Sequence, residues 1–277
     1  MNMKLINFCY IINDYVCENK NTNTLNKEYI HCVGRINYVE FLCMSIETLL
    51  KFYEPNIEHI YILCDYNNLT VDQQNYLINK INKININNKI VIKKINLSIL
   101  DCIQYPTNND NKWKIGKIGL LKFLIPSLID CDEVIYTDAD ILYNQNILDD
   151  ILLDIDLNKH IFKFFSTNHD PNSINSGFIY FNCKLYNNYG ILNEVIKWYD
   201  EIPNIKYVDN SCFLYLAQKY SNNTIICLNN KNVKYYINYY LDDLNKLSNQ
   251  YSVIHFYGVA EHRFRDFVNT YNAIINK

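Results

Sequence analysis

Two aspartates one residue apart close an apolar run in Val134-Ile135-Tyr136-Thr137-Asp138-Ala139-Asp140-Ile141-Leu142. Glu133 to Thr137 reads as a short buried strand, β-branched and aromatic with no Gly or Pro inside. Alternate strand residues share a face, and where the backbone bends at the strand's end both carboxylates can turn toward one point. Carboxylates so close repel unless a cation lies between them. Hard divalent cations take oxygen ligands and keep positions open for water or phosphates. Asp138 and Asp140 are therefore candidates to hold a metal that carries a phosphorylated ligand. A solvated turn or helix cap gives the same pattern. A second Asp-x-Asp, Asp154-Ile155-Asp156, follows Leu152-Leu153 at what reads as a helix end, and is expected at the surface. Position favours the first pair, because ligands of alternating α/β chains gather beyond the carboxyl ends of the strands.

The elements that must position this pair follow from hydrophobic periodicity. Leu5 to Ile12 is predicted as a first strand with Asn13-Asp14 at its tip. Cys17 to Gly34 has no steady period and reads as a loop. Phe41, Leu42, Ile46, Leu49, Leu50 and Tyr53 recur at three and four, an amphipathic helix from Tyr38 that Pro55 ends. A strand over Ile60 to Cys64, a helix over Val71 to Ile84 capped by Thr70, and a strand over Lys89 to Leu97 complete a βαβ alternation typical of a parallel sheet. Trp113 to Ile129 is predicted helical, with Pro126 kinking it late. Lys112, Lys114 and Lys117 are expected to solvate its outer face, whereas Lys122 lies among apolar neighbours and is expected to be partly buried.

Further on, the spacing predicts a short helix near Ile147 to Leu153 and a strand at His160 to Phe165. Asn175-Ser176-Gly177 then precedes an apolar strand, either as an ordinary turn or as a place where a ligand approaches the backbone. Helices are predicted over Leu185 to Tyr199 and from Asp209 through Cys212 to Tyr220. Aromatic-rich strands are predicted over Thr224 to Tyr240, and a short strand runs Val253 to Gly258. His255, read alone, is more often a structural residue beside an apolar strand than a ligand.

Composition bounds the function. The chain has 277 residues, 49% hydrophobic and 20% charged, which suits one globular unit with a sizeable core. A net charge of −3 gives no footprint for nucleic acid or an anionic membrane. The 10 cysteines include no Cys-x-x-Cys pair and several sit in apolar stretches, so reduced thiols and a cytoplasmic setting are expected. No signal peptide or membrane-spanning run is recognisable. Heavy use of Asn, Ile, Lys and Tyr points to an AT-rich genome, such as a viral or protist one.

The order Asp138-Ala139-Asp140, Asn175-Ser176-Gly177, Asp209-Asn210, His255-x-x-Gly258 resembles glycosyltransferase family 8, the glycogenin and bacterial galactosyltransferase group. The resemblance runs from Leu5 to about His262. Lys122 stands sixteen residues before Asp138, as a basic residue does in glycogenin, and Lys122-Phe-Leu-Ile-Pro126 is similar to the family's basic-Leu-x-x-Pro signature. The Asn13-Asp14 tip resembles the nucleotide-binding end of the family's first strand.

The resemblance implies a GT-A fold: an α/β, Rossmann-like, mostly parallel sheet flanked by helices, with a smaller acceptor-side region. Residues 1–277 would form one domain, 1–142 mainly binding nucleotide and 143–277 mainly binding acceptor. The implied activity is retaining, Mn²⁺-dependent transfer of a hexose from a UDP-sugar, UDP-glucose or UDP-galactose foremost, to a hydroxyl on a glycan, protein or small molecule. Asp138, Asp140 and His255 would hold the metal, for which Mg²⁺ is the alternative; carboxylates with an imidazole suit Mn²⁺. Ile12, Asn13, Asp14 and Tyr15 would hold the uridine. Lys122, Ala139, Ser176, Gly177, Gly258 and Arg263 would contact the rest of the donor, and Lys122, Asp209 and Asn175 form the implied catalytic set. A homodimer is allowed by the resemblance.

The sequence departs from the family in two places. Glu261-His262-Arg263 stands where His-x-x-Gly is often followed by x-x-Lys-Pro-Trp, which puts the phosphate clamp in question. Asn210 stands where the family often has Gln. Two rival readings follow: a phosphohydrolase, which would want Thr or Val at the position of Leu142, and an inactive sugar-nucleotide-binding protein of the same fold.

Overall fold

The computed structural model describes residues 4–12, 35–65, 71–85, 87–101, 117–166, 172, 174–202, 208–227, 233–237, 251–257 and 263–277. Strand β1 (Ile6–Ile12), helix α1 (Arg35–Tyr53), strand β2 (Ile57–Cys64), helix α2 (Val71–Ile84) and strand β3 (Ile90–Lys94) form the expected alternation. Helix α3 (Leu121–Leu128) leads into β4 (Glu133–Thr137), and β5 (Ile141–Tyr143) and α4 (Leu148–Leu152) follow. Next come β6 (Phe162–Ser166), β7 (Ile174–Asn182), α5 (Cys183–Asn188), α6 (Ile191–Glu201) and α7 (Val208–Lys219). The chain then adds β8 (Thr224–Cys227), β9 (Val233–Ile237), β10 (Val253–Tyr257) and α8 (Arg263–Ile275).

Seven strands form one sheet in the order β3-β2-β1-β4-β7-β6-β8. Strands β1 to β4 are mutually parallel, β7 runs antiparallel to β4 and β6, and β8 is parallel to β6. The strand order reverses between β1 and β4, so the crevice beyond their carboxyl ends is the place where such sheets bind ligands. A smaller sheet, β5-β10-β9, stands beside it.

The alternation of side chains builds a core on each face of the main sheet. Phe8 and Tyr10 of β1, Ile135 of β4 and Phe178 and Tyr180 of β7 join α1, α2, β5, β10 and α8 in one buried layer. Cys9, Val134, Tyr136, Ile179 and Phe181 join α3, α5, α6 and α7 in the other. Burial on both faces explains why β7 is buried at all nine positions rather than alternating.

Several boundaries differ from the sequence expectation. Strand β2 starts at Ile57, before the predicted Ile60, and β3 ends at Lys94, with a 3₁₀ turn at Leu97–Leu100 in place of its predicted end. The predicted helix over Leu185 to Tyr199 is two helices, parted at Gly190, whose φ of +63° a side chain would strain. In the described part of the Trp113 to Ile129 segment, a 3₁₀ turn at Lys117–Leu120 leads into α3, which contains Pro126 and ends two residues later. Strand β5 and helix α8 were not anticipated. The Thr70 cap, the 17–34 loop and the start of the Trp113 segment lie outside the described residues.

Helix α8 is anchored to α1 through aromatic edges. The Phe267 ring lies 4.5 Å from that of Phe41 and 5.3 Å from that of Phe256, and is fully buried. Lys51 of α1 donates to the carbonyls of Ile274 and Ile275 at 3.0 and 2.9 Å, satisfying the helix end. Phe267→Ala should therefore destabilise the protein by about 3–5 kcal/mol in chemical denaturation. A loss under about 1 kcal/mol would show that α8 contributes little to the folded state.

Candidate active site

Asp138 and Asp140 leave the carboxyl end of β4, and the chain turns at once into β5. Two backbone bonds fix that turn: the Asp138 N–H donates to the Gly177 carbonyl at 2.7 Å, and the Ile141 N–H to the Asp138 carbonyl at 3.3 Å. Strand β5 pairs antiparallel with β10, so that His255 lies opposite Ile141, and the Phe256 N–H donates to the Asp140 carbonyl at 2.9 Å. Ladder register, not a loop, thus delivers the imidazole to the aspartates. Nε2 of His255 is 3.1 Å from Oδ1 of Asp140 and 3.6 Å from Oδ2 of Asp138. One ligand atom from each of the three residues lies within 4.8 Å of the others.

A chain of buried hydroxyls stiffens the turn from below. The Tyr143 hydroxyl donates to Thr137 Oγ1 at 2.8 Å, and the Tyr143 N–H donates to Thr48 Oγ1 of α1 at 3.1 Å. Thr48 in turn donates to the Ser45 carbonyl, and the Ser45 hydroxyl pairs with Tyr10 of β1.

Asn175, Ser176 and Gly177 are not a turn ahead of a strand, as one reading of the sequence had it; they are the start of β7 itself. Antiparallel pairing with β4 brings this end of β7 to the aspartates. A Cβ on Gly177 would lie 2.2 Å from Cε1 of His255 and 2.6 Å from Oδ2 of Asp138, so only glycine lets these ligands close up here. The close approach expected of the small residues is made by the site's own side chains. Asn175 Oδ1 accepts from the Gly177 N–H at 2.7 Å.

Lys122 enters from α3. It is 8% exposed, and its ammonium lies 3.0 Å from Oδ2 of Asp209, 3.1 Å from Oγ of Ser176 and 3.4 Å from Oδ1 of Asp138. Asp209 sits in the first turn of α7, and Ser176 donates to its Oδ2 at 2.6 Å. Its Oδ1 is buried and makes no hydrogen bond among the described residues. Asn210 Oδ1 accepts from the Ser176 N–H at 2.8 Å, so the shorter amide present here reaches the β7 backbone. Burial works against the Lys122 charge, but Asp138 and Asp209 outweigh it and hold the ammonium above its ordinary value. Burial likewise works against the Asp209 carboxylate, and Lys122 with the Ser176 hydroxyl outweighs it, so its value is lowered.

His255 behaves oppositely. Burial, helped by the Lys122 charge and opposed by Asp138, pulls its value down to about 4. The imidazole is therefore neutral near pH 7, the form that ligates metals. Two carboxylates and a neutral imidazole, converging from rigid strands, fit a divalent cation of the Mn²⁺ or Mg²⁺ kind.

Not every expected residue is brought here by the described structure. Ile12 is the buried last residue of β1, and Ala139 is buried between the two aspartates. Asn13, Asp14, Tyr15, Gly258, Glu261 and His262 lie outside the described residues, and Arg263 is seen only as the first residue of α8. Sequence reasoning overlooked Tyr136, whose hydroxyl donates to Oδ1 of Asp138. The signal was its place two residues ahead of Asp138, which puts both side chains on one side of the strand.

The comparisons agree with this architecture. An active-site mutant of LgtC superposes with a TM-score of 0.62 at 14% identity, over 97% of this chain and 96% of that one. The galactosyltransferase LgtC in complex with donor and acceptor sugar analogues gives 0.61 at 14% identity, with the same coverage. The bifunctional glycosyltransferase WbbM, in its apo form, gives 0.62 at 13% identity over 97% of this chain and 50% of that one. No curated protein sequence matches the chain. The mostly parallel sheet and its likeness to these structures define a GT-A type fold. The sequence profile described as glycosyl transferase family 8 matches residues 24–261, and the chain belongs to that family.

The His255 shift gives a signed pH dependence. An imidazole that is harder to protonate in the folded than in the unfolded state binds its proton preferentially on unfolding. The associated stability is fully present above about 6.5, the ordinary value, and is lost as pH falls toward about 4. The loss is on the order of 3 kcal/mol for metal-free protein. Melting curves of wild type and His255→Asn, both chelated, should converge as pH falls through this window. Parallel curves would contradict the buried neutral imidazole.

Proposed function

We propose that this protein transfers a hexose from a UDP-sugar, with UDP-glucose or UDP-galactose as leading donors, to a hydroxyl acceptor on a glycan, protein or small molecule. The transfer is retaining and depends on a divalent cation, Mn²⁺ before Mg²⁺. The observation that carries this reading is the junction of two clusters: Asp138, Asp140 and His255 meet at one point, and Asp138 also faces the buried Lys122–Asp209 pair. Among the described residues of this junction three carboxylates face one ammonium. A divalent cation would balance that excess, and it would also offset the negative charge that grows on a departing diphosphate.

The chain's own groups then have separable tasks. Asp138, Asp140 and His255 would hold the ion. Lys122, kept charged by its two carboxylates, would reach the diphosphate or the donor sugar, stabilising charge that develops as the glycosidic bond breaks. The buried Oδ1 of Asp209 is a ready acceptor for a sugar hydroxyl. Ser176 and Asn210 would keep Asp209 and the β7 backbone in place. Asn175 would line the sugar pocket, and Ile12 with the 13–15 tip would meet the uridine. On this reading residues 1–142 mainly bind nucleotide and residues 143–277 mainly bind acceptor.

Turnover of UDP-glucose and UDP-galactose with Mn²⁺ tests this directly. Chelated protein should be inactive and should recover when Mn²⁺ is added back; full turnover without metal would reject the cation's role. Asp140→Asn should abolish most activity while leaving the melting temperature close to wild type. Donor binding without any turnover, transfer or hydrolysis would favour the inactive-binder reading. Lys122→Met keeps the apolar stem and removes the charge. It should lower kcat/KM at least about tenfold, roughly 1.4 kcal/mol of transition-state stabilisation. An unchanged kcat/KM in well-folded Lys122→Met would remove Lys122 from the mechanism.

A further inference from the structure

We infer that Tyr136 is a positioning residue for the cation site: its hydroxyl claims Oδ1 of Asp138 and so leaves Oδ2 to the ion. The inference rests on the reading of Asp138, Asp140 and His255 as metal ligands. It comes from how the two carboxylate oxygens of Asp138 are shared out. Oδ1 accepts from the Tyr136 hydroxyl and lies 3.4 Å from the Lys122 ammonium. Oδ2 is on the other side, 3.6 Å from Nε2 of His255 and beside Gly177.

Asp138 needs such a hold more than its fellow ligands do. Its side chain is 28% exposed, against 9% for Asp140 and 2% for His255. Packing fixes those two, whereas a half-open carboxylate can rotate into water. The Tyr136 ring is buried in the α3-side layer of the core, so its hydroxyl is a fixed post.

Lys122 is the competing candidate for this task, since it approaches the same oxygen. It is a poor choice because it is shared. The ammonium is bonded to Asp209 and Ser176, and sits 5.1 Å from the centre of the Tyr136 ring. If Lys122 moves toward a donor phosphate, Oδ1 loses that contact, and of the two groups Tyr136 is the one that still holds the carboxylate. The two groups also act on a cation with opposite sign. The Tyr136 hydroxyl orients a ligand without adding charge, whereas the Lys122 ammonium repels the incoming ion.

Tyr136→Phe keeps the ring, the core packing and the face beneath Lys122, and removes only the hydroxyl. The test is titration of chelated full-length protein with Mn²⁺ alone, reading free Mn²⁺ by electron paramagnetic resonance. Hydrogen-bond partners of metal ligands typically govern affinity by about 10–100-fold. Tyr136→Phe should weaken Mn²⁺ binding within that range, while the melting temperature of the metal-free protein stays near wild type. Lys122→Met, read in the same way, should bind Mn²⁺ as tightly as wild type or more tightly. Unchanged Mn²⁺ affinity in Tyr136→Phe would overturn the inference. So would a loss in Lys122→Met of at least tenfold, since Lys122 would then be the holder; this arm stands even where Tyr136→Phe does not fold. Wild-type protein that binds no Mn²⁺ would overturn the metal reading itself, and that outcome is separate from the other two.

Discussion

The ion pair between Lys122 and Asp209 lies inside the protein, and burying either charge alone would be costly. Each is tolerable only because the other is present, with Ser176 and Asp138 completing the set. That requirement ties four elements together: α3 supplies Lys122, α7 supplies Asp209, β7 supplies Ser176 and the end of β4 supplies Asp138. None of these elements could shift by the width of a side chain without stranding a charge. The shapes of α3 and α7 serve this geometry. Phe123, next to Lys122, stacks on Phe213 of α7, one helical turn from Asp209, with ring centres 4.3 Å apart, so an aromatic contact beside the ion pair clamps the two helices.

The second half of the site is set by backbone pairing rather than by charge. Strand β5 has only three residues, yet it joins the aspartate turn to β10 and fixes His255 beside Asp140. The hydroxyl chain from Tyr10 through Ser45, Thr48 and Tyr143 to Thr137 connects the same turn to α1 and β1. Both halves therefore converge on the carboxyl ends of β1 and β4, where the strand order reverses. Asp138 is the residue common to both, since it faces Lys122 on one oxygen and His255 on the other. A cation arriving at Oδ2 would thus change the field felt by Lys122 within a few ångströms, with no moving element needed to carry the effect.

Much of this was legible because the informative residues are local in sequence. The apolar run to Thr137, the βαβ alternation and at least partial burial of Lys122 follow from period and neighbourhood, and the structure has the first two and buries Lys122 more fully than expected. What could not be read depends on partners distant in the chain. Three residues of β5 are too few to show a period, and they form a strand only because β10, more than a hundred residues later, pairs with them. The role of Gly177 is invisible until His255 and Asp138 stand against it. Helix α8 is the exception, since Phe267, Thr270 and Ile274 recur at helical spacing and are buried, a period that is local in the sequence. The partition at Gly190 was missed because the apolar spacing runs through it, while the left-handed backbone interrupts the helix.

The two Asp-x-Asp pairs make the dependence on context concrete. Asp154 and Asp156 are both exposed, and Asp154 has a left-handed backbone with a φ of +63°. Asp156 spends its Oδ1 on the N–H of Asn158 at 2.9 Å, and its carbonyl on the N–H groups of Lys159 and His160. That carboxylate closes a turn. Asp138 and Asp140 differ from it in company, not in spacing. One is followed by a strand that recruits an imidazole, and the other by a loop that turns back on itself. The spacing of two carboxylates permits a cation site; antiparallel partners from β7 and β10, which narrow the space around Oδ2 of Asp138 and Oδ1 of Asp140, are what distinguish one.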